Sequence, residues 1–281
     1  MCWAVVLALS FLPVLIYSAL APFLSPSPGI FSSCCKGSAI TRGSWWHDTG
    51  HLDAIAETDL ITINYTSGTT ARPKGVMTTH RNAYLNIMNT LAHQHLTPSD
   101  RYLWTLPMFH ANGWTFTWIN TARGMAHVCL RRVEPELIYK LMKEEDITMF
   151  CAAPTVLISI VNAPAEVRAG APRGIRLFTA GAPPAAATIE MVERDLGWEL
   201  THVYGLTETA PLITVCETRP EHRNLSVEDL AIVKSRQGVE LVGSGELRIV
   251  DDTGEEVPHD GETLGEITVL AIIGIGRFDL L

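Results

Sequence analysis

Residues 65–76 of this chain read Tyr65-Thr66-Ser67-Gly68-Thr69-Thr70-Ala71-Arg72-Pro73-Lys74-Gly75-Val76. The run directly follows an apolar stretch, residues 60–65, whose composition is typical of a β-strand. Small residues let backbone N–H groups approach a polyphosphate, hydroxyl groups add donors, and Lys74 adds a positive charge. The segment therefore predicts a phosphate-binding loop at the end of a strand.

This loop is not a Walker A loop. The pattern G-x-x-x-x-G-K-[ST], started at Gly68, would need glycine where Pro73 stands and serine or threonine where Gly75 stands. A flexible Ser/Thr/Gly linker is the alternative, but strand-forming residues run straight into the loop and linkers seldom carry Pro-Lys-Gly. We therefore expect the nucleotide to be held by another scheme.

Composition excludes some functions. The 281 residues carry a net charge of −9, and the 21 Lys and Arg are scattered, so we expect no nucleic-acid partner. The six cysteines include no C-x-x-C pair and predict neither a zinc site nor a disulfide framework. A reducing compartment is the simpler interpretation, and we expect a cytoplasmic catalytic body.

Short apolar runs alternate with amphipathic stretches from Asp59 onward, which predicts an α/β fold with a layered parallel sheet. Apolar residues at helical spacing predict two helices, around 84–91, with Thr79 as N-cap, and around 137–142. Beyond Gly238, short strands and turns predict a small antiparallel β subdomain. The predicted strands are 60–65, 102–106, 126–130, 148–151, 175–179, 200–204, 247–250 and 266–269, with a turn at 251–254.

The run at 65–76 resembles the signature loop of the AMP-forming adenylating enzymes, usually written YTSGTTGRPKGV; Ala71 replaces a glycine. These are the acyl-CoA synthetases, luciferases and peptide-synthetase adenylation domains. The resemblance covers residues 59–269 and favours the acyl-CoA synthetase branch. Four further segments agree in the family's order: LPMFHANGW at 106–114, TAGAPP at 179–184, VYGLTET at 203–209, and GEL at 245–247 with GEI at 265–267.

The resemblance implies a site for ATP and Mg²⁺. Glu208 would bind Mg²⁺, since a hard cation prefers carboxylate oxygen, and Thr207 would contact the α-phosphate or the acyl carbonyl. Alone, Thr207-Glu208-Thr209 could equally begin a helix with an acidic first turn, and the turn at 181–183 could be purely structural. The β- and γ-phosphates would lie on Thr66, Ser67, Gly68, Thr69, Thr70 and Lys74, and adenine would lie against Gly181, Ala182, Pro183, Tyr204 and Gly205.

The resemblance also implies a site for the acid. His110 would position the carboxylate or the intermediate, although a lone histidine is often structural. Asn112, Gly113 and Trp114 would form the wall of the acyl pocket, and a plain core role for Trp114 is the alternative. The implied reaction activates a fatty or other aliphatic carboxylic acid, with coenzyme A as the acceptor.

We expect three parts: an unmatched segment at 1–58, an AMP-binding α/β core at 59–238, and a partial β subdomain at 239–281. After Val269 the family's Thr-Gly-Asp motif and C-terminal lysine have no counterpart, so we expect the C-terminal domain to be absent. The alternative function is therefore a truncated nucleotide-binding remnant without catalysis.

The first segment is unusual because residues 3–24 are almost wholly apolar. A membrane anchor or signal, a buried apolar helix, and unrelated sequence joined to the family portion are the three interpretations. If residues 3–24 are a membrane anchor, the chain is associated with a membrane. A membrane-tethered regulatory or interaction protein is then a further alternative function.

Overall fold

The computed structural model describes residues 55–66 and 73–270, and most of its strands belong to one sheet. The strands are β1 Leu60–Thr66, β2 Lys74–Thr79, β3 Arg101–Trp104, β4 Ala126–Cys129, β5 Met149–Ala152, β6 Arg176–Thr179, β7 Glu199–Gly205, β8 Leu212–Cys216, β9 Val239–Glu240, β10 Glu246–Val250 and β11 Glu266–Leu270. Seven of them form a sheet in the order β4-β3-β5-β6-β7-β8-β9. Strands β3 to β7 are parallel, and β8 is antiparallel to both of its neighbours, β7 and β9, so the α/β prediction is confirmed.

Helices follow most of the parallel strands. They are α1 His80–His93, α2 Phe116–Arg123, α3 Pro135–Glu144, α4 Pro154–Val161, α5 Ala165–Arg168, α6 Ala186–Met191 and α7 Val227–Lys234. Helix α6 continues into a π-helical turn, Val192–Leu196, and 3₁₀ turns span Thr207–Thr209 and Pro220–Asn224. At the start of α1, the Asn82 backbone N–H donates to the Thr79 hydroxyl at 3.3 Å, so the predicted N-cap is confirmed.

Apolar side chains cover both faces of the seven-stranded sheet. On one face, Tyr102, Cys151 and Phe178 pack with residues of α1 and α2. On the other face, side chains one position away in the same strands, such as Phe150 and Leu177, pack with α3, α4, α6 and α7. Because successive side chains of a strand point to opposite faces, this alternation produces three layers, with the sheet in the middle.

The predicted apolar face of α1 is wrong in part. Tyr84 is only half-buried and Met88 is 37% exposed, whereas Asn86 and Thr90 are buried with Ile87. The helix is thus rotated so that a polar stripe faces inward. The apolar face of α3 is confirmed, with Ile138 and Met142 buried.

Strands β1 and β2 form a separate antiparallel hairpin outside the seven-stranded sheet. The sequence analysis took residues 60–65 as one strand of the α/β alternation and did not identify 74–79 as a strand. Pro73 and Gly75 are typical turn residues, and they concealed the strand that begins between them.

The small antiparallel sheet is confirmed, because β10 pairs with β11. The predicted turn between them is also present, and the Gly254 N–H donates to the Asp251 carbonyl at 3.0 Å. Strand β9 pairs with β8, so the large sheet continues past Gly238. The division of the chain at residue 239 remains a prediction.

Within the two described ranges, the helices are all too short or too polar to cross a bilayer. The apolar stretch 3–24 lies outside the described residues, and so do residues 67–72 of the phosphate loop and the tail at 271–281. The expected membrane anchor and the cytoplasmic location therefore remain predictions.

A buried carboxylate, Asp100, joins three strands near their amino ends. The Thr97 N–H donates to its Oδ2 at 2.7 Å, the Thr148 hydroxyl donates to its Oδ1 at 2.8 Å, and the Arg176 guanidinium forms an ion pair with it. Burial by itself raises the pKa of the Asp100 carboxyl. The hydrogen bonds and the Arg176 charge outweigh burial and hold that pKa below its ordinary value.

We expect Asp100→Asn to lower the free energy of unfolding at pH 7 by about 2 kcal/mol, because Arg176 loses its charged partner. The pKa is depressed in the folded state, so the stabilisation is complete above the unfolded-state pKa of about 3.9. It disappears as the pH falls through the folded-state pKa, and the two proteins should converge in stability in acid. Denaturant unfolding in steps from pH 7 down to about pH 2 measures this.

The matched control is Glu144→Gln, which alters an exposed carboxylate on α3. Its effect should stay within about 0.5 kcal/mol at every pH, because exposed ion pairs contribute little. A stability difference for Asp100→Asn that did not change with pH would contradict the assignment.

Candidate functional site

Three of the predicted site segments lie at one edge of the sheet. Residues 110–114 come after β3, residues 181–183 come after β6, and residues 204–208 span the end of β7 and the turn beyond it. Strands β3, β5, β6 and β7 are successive parallel neighbours, so their carboxyl ends meet at the same edge. The structure thus brings together segments that are up to about a hundred residues apart in sequence.

Between β3 and α2 the chain makes a left-handed turn, which we define as Ala111–Thr115. All five residues have positive φ, from 37° at Ala111 to 72° at Thr115. Such a conformation costs roughly 1–2 kcal/mol for each residue other than glycine, and for a β-branched residue it is rare. Backbone strain of this kind persists only where neighbouring contacts fix it, and it clusters at functional sites.

Gly113 is required in the left-handed turn by space as well as by φ. A Cβ at Gly113 would lie 2.6 Å from Trp104 Cζ3, far inside contact distance. The next residue, Trp114, is 5% exposed and belongs to the hydrophobic core. Its ring edge, at Cζ2, lies 3.9 Å from the position of a Cβ at Gly181. The core role of Trp114 is therefore present, and its role in a pocket wall remains a prediction.

The side chain of Asn112 ties the left-handed turn to β1. Its Oδ1 accepts a hydrogen bond from Asn64 Nδ2 at 2.7 Å, and its Nδ2 donates to Thr62 Oγ1 at 3.3 Å. Strand β1 ends at Thr66, which pairs with Lys74 at the loop end of the hairpin. The left-handed turn and the strand that leads to the predicted phosphate loop therefore share one hydrogen-bonded unit.

The phosphate loop is described only at its two ends. Thr66 and Lys74 are opposite each other in the β1–β2 register, and both are half-buried. Residues Ser67, Gly68, Thr69 and Thr70 lie outside the described part of the chain. The phosphate-binding role of all six residues remains a prediction.

A crevice lies between the left-handed turn and the segment after β7. Its volume is about 10 Å³, roughly the space of one water molecule, and is far below the range of about 300–1,000 Å³ that is typical of small-molecule pockets. In this structure the crevice therefore has room for no more than one oxygen-sized group. The residues that line it are Asn64, Thr78, Ala111, Asn112, Trp118, Thr207, Ala210 and Pro211.

The segment after β7 is closed by its own hydrogen bonds. The Leu206 N–H donates to Thr209 Oγ1 at 2.8 Å and to the Pro211 carbonyl at 3.1 Å. Gly205 permits this closure, because a Cβ there would lie 1.8 Å from the Pro211 oxygen. Of the alternative, a helix that begins at Thr207 with an acidic first turn, the structure has one 3₁₀ turn, Thr207–Thr209, which contains Glu208.

The carboxylate of Glu208 is half-buried and forms no hydrogen bond or ion pair with any residue in the described ranges. A free carboxylate beside a closed turn suits a Mg²⁺ ion that takes its remaining ligands from phosphates and water. Residues 55–66 and 73–270 contain no cluster of three or more His, Cys, Asp or Glu side chains that could hold a metal alone. The donor set fits a metal shared with a nucleotide.

The remaining predicted residues are more exposed. Gly181, Ala182 and Pro183 are exposed at the end of β6, and Tyr204 is half-buried within β7. The ring of His110 is exposed just before the left-handed turn and forms no hydrogen bond with another described residue. The adenine-binding and carboxylate-positioning roles of these residues remain predictions.

The sequence analysis missed the asparagines that hold the site together. Asn86 on α1 is 6% exposed and hydrogen-bonds both to the left-handed turn and to the start of β8. One signal was available, because Asn82, Asn86 and Asn89 recur at i, i+4 and i+7 on one side of a predicted helix. Such a polar stripe is unusual on a helix face and indicates specific buried partners.

Known proteins are similar to this chain over about three quarters of its length. The chain is 42% identical over 218 residues to 4-hydroxybutyrate–CoA ligase 2 of Metallosphaera sedula and 41% identical over 215 residues to 2-methylpropanoate–CoA ligase CCL4 of Humulus lupulus. These alignments cover 78% and 76% of this chain but only 39% and 38% of those proteins. The chain therefore spans about two fifths of the length of these curated relatives.

Solved structures show the same fold. O-succinylbenzoate coenzyme A synthetase of Bacillus subtilis, in complex with ATP and magnesium ion, superposes with a TM-score of 0.62 at 26% identity, covering 76% of this chain and 41% of that one. The N-terminal domain of FACL13 from Mycobacterium tuberculosis gives a TM-score of 0.60 at 26% identity, covering 72% and 48%.

The sequence profile of the AMP-binding enzymes matches residues 28–271, which is most of the chain. The expected resemblance is thereby confirmed, and the profile begins upstream of Asp59. This chain belongs to the AMP-binding enzyme family.

Proposed function

We propose that these residues form the nucleotide- and acid-binding part of an enzyme that activates a carboxylic acid with ATP and then transfers the acyl group to a thiol. A carboxylate oxygen of the acid attacks the α-phosphorus of ATP, and the bond to the bridging oxygen breaks. Pyrophosphate leaves and acyl-AMP forms. The sulfur of coenzyme A then attacks the acyl carbonyl, AMP leaves, and the thiol proton passes to solvent.

The convergence of β1, the left-handed turn and the segment after β7 at the crevice carries the proposal. Thr207 and Asn112 line the same crevice, and Asn112 is hydrogen-bonded to Asn64 of the strand that leads to the phosphate loop. An acid with one carboxylate oxygen in this crevice would lie beside both Asn112 and Thr207. Holding two reactants in this way is a large part of catalysis in bimolecular reactions.

The chain's own residues have separate tasks in this proposal. Lys74 and the loop hydroxyls hold the β- and γ-phosphates, which supports charge on the departing pyrophosphate. Thr207 donates to an α-phosphate oxygen or to the acyl carbonyl, and His110 positions the carboxylate. Glu208 would hold Mg²⁺, which supplies charge neutralisation on the phosphates.

We propose an aliphatic acid as the substrate, and the named relatives support this class. Two of them are ligases for 4-hydroxybutyrate and 2-methylpropanoate, while a third is a trans-cinnamate:CoA ligase of Petunia hybrida that is 40% identical over 212 residues. Because these acids differ in shape, the choice among them needs a panel that includes an aromatic acid.

The deciding experiment is carboxylate-dependent exchange of labelled pyrophosphate into ATP. It is run on this chain and on a chimera that carries the remaining length of the 4-hydroxybutyrate ligase, with 4-hydroxybutyrate, 2-methylpropanoate, hexanoate and cinnamate. We expect acid-dependent exchange in the chimera. ATP binding without exchange in either protein would instead favour the second candidate, a nucleotide-binding protein without turnover, and absence of ATP binding would overturn both.

We expect Lys74→Ala to weaken ATP–Mg²⁺ binding about tenfold, because one charge-assisted contact to phosphate contributes roughly 1.5–3 kcal/mol. Equilibrium titration of nucleotide measures it. Lys140→Ala is the matched control, since it removes an exposed cation on α3 whose ion-pair distance to Glu144 is 3.9 Å. Unchanged affinity in Lys74→Ala would remove the phosphate assignment.

Glu208→Gln tests the metal role, because it keeps the shape of the side chain and removes its charge. We expect nucleotide affinity without metal to stay as in the wild type, and the gain in affinity on adding Mg²⁺ to shrink. Titrations with and without Mg²⁺ measure both. Glu199→Gln, an exposed carboxylate at the opposite end of β7, should retain the full gain; an equal gain in Glu208→Gln would refute the metal role.

A further inference from the structure

Helix α1 places one buried amide between the two halves of the site. Asn86 Oδ1 accepts a hydrogen bond from Thr115 Oγ1 at 2.8 Å, and Asn86 Nδ2 donates to the Leu212 carbonyl at 2.8 Å. A carbonyl can only accept, so the amide NH₂ must face Leu212 and the amide oxygen must face the hydroxyl. Both polar groups of the Asn86 amide therefore have a partner: its oxygen accepts from Thr115, and its nitrogen donates to Leu212.

The first partner, Thr115, is the last residue of the left-handed turn. It is fully buried, at 0% exposure, and has a φ of 72°, which a β-branched residue rarely adopts. A conformation of that kind needs outside contacts to hold it. The hydrogen bond from the Thr115 hydroxyl to Asn86 is one such contact. It fixes the last residue of the left-handed turn, and Asn112 lies in the same turn.

The second partner, Leu212, follows the segment that carries Thr207 and Glu208. Leu212 pairs with Gly205 across β7 and β8, and the preceding Pro211 carbonyl accepts the Leu206 N–H at 3.1 Å. A shift of Leu212 would therefore move the Pro211 carbonyl, which accepts the hydrogen bond that closes the segment containing the 3₁₀ turn. Both halves of the site are anchored to the same side chain.

We propose that Asn86 is a positioning residue that couples binding of the acid to binding of the nucleotide. This inference rests on the proposed function, because it assumes that the left-handed turn serves the acid and the 3₁₀ turn serves the nucleotide. Both contacts are buried and contiguous, so an arrangement of one turn constrains the arrangement of the other. Coupling between two ligands is reciprocal and can be measured from either side.

The test uses this chain and ligands that cannot react. The nucleotide is α,β-methylene-ATP with Mg²⁺, in which the bridge that would break is a CH₂ group, and the acid is 2-methylpropanoate. Calorimetric titration gives the dissociation constant of the acid with and without the saturating nucleotide. Their ratio is the coupling factor, which we expect to be about fivefold or more in the wild type.

In Asn86→Ala the coupling factor should fall below about twofold. Asn89→Ala is the matched control, one turn further along α1, because Asn89 lines the same region without bonding to the left-handed turn or to Leu212. It should retain the wild-type factor. A merely structural role for Asn86 would weaken both affinities and leave their ratio unchanged, and that result would overturn the proposal.

A second variant guards against loss of folding in Asn86→Ala. Thr115→Val keeps the shape and the buried position and removes only the hydroxyl, so it should lower the coupling factor as Asn86→Ala does. The double variant should lower it no further, because both changes break one connection. Additive losses would overturn the proposal.

The two proposals fail in different ways. If the wild type binds the nucleotide and the acid with a coupling factor of one, the proposed function survives and the role of Asn86 is refuted. If the wild type binds no nucleotide, the proposed function fails and the inference fails with it.

Discussion

The site depends on a backbone that would not hold its shape alone. The left-handed turn Ala111–Thr115 places four residues other than glycine at positive φ. Its one glycine, Gly113, is required because the ring of Trp104 occupies the space that a side chain would need. Conformations of this kind persist where the surroundings determine them. Here Asn64 of β1 bonds to Asn112 of the turn, Asn86 of α1 bonds to the last residue of the turn, and the core packs around Trp114.

This arrangement explains which features the sequence could predict. Local patterns gave the parallel strands to within one or two residues, the Thr79 cap and the β10–β11 turn, because each depends on neighbours in sequence. The bond between Asn64 and Asn112 joins residues 48 apart, and the bond from Asn86 to Leu212 joins residues 126 apart. Periodicity can indicate that a polar stripe on a helix has buried partners, as it does on α1, but it does not identify those partners. The apolar spacing of α1 was misleading for the same reason, since tertiary hydrogen bonds decide which face is buried.

The motifs indicated which residues belong to the candidate site, but not how those residues are arranged. They indicated that residues near 110, 181 and 205 belong together, and the parallel sheet supplies the reason, because the carboxyl ends of β3, β6 and β7 share an edge. Strands β8 and β9, which no motif predicted, extend the sheet beyond β7. Their presence puts the Leu212 carbonyl within reach of α1.

The β1–β2 hairpin has a consequence for local opening of the chain. A two-stranded hairpin is marginally stable by itself, so this one takes its order from what it packs against. Two of those contacts come from a single side chain, Asn112, in a turn that is itself strained. Amide hydrogens in β1 would therefore exchange with solvent at rates governed by relaxation of the left-handed turn. In local opening, β1 would behave as one cooperative unit with that turn, although the turn follows a strand of the seven-stranded sheet and β1 does not belong to that sheet.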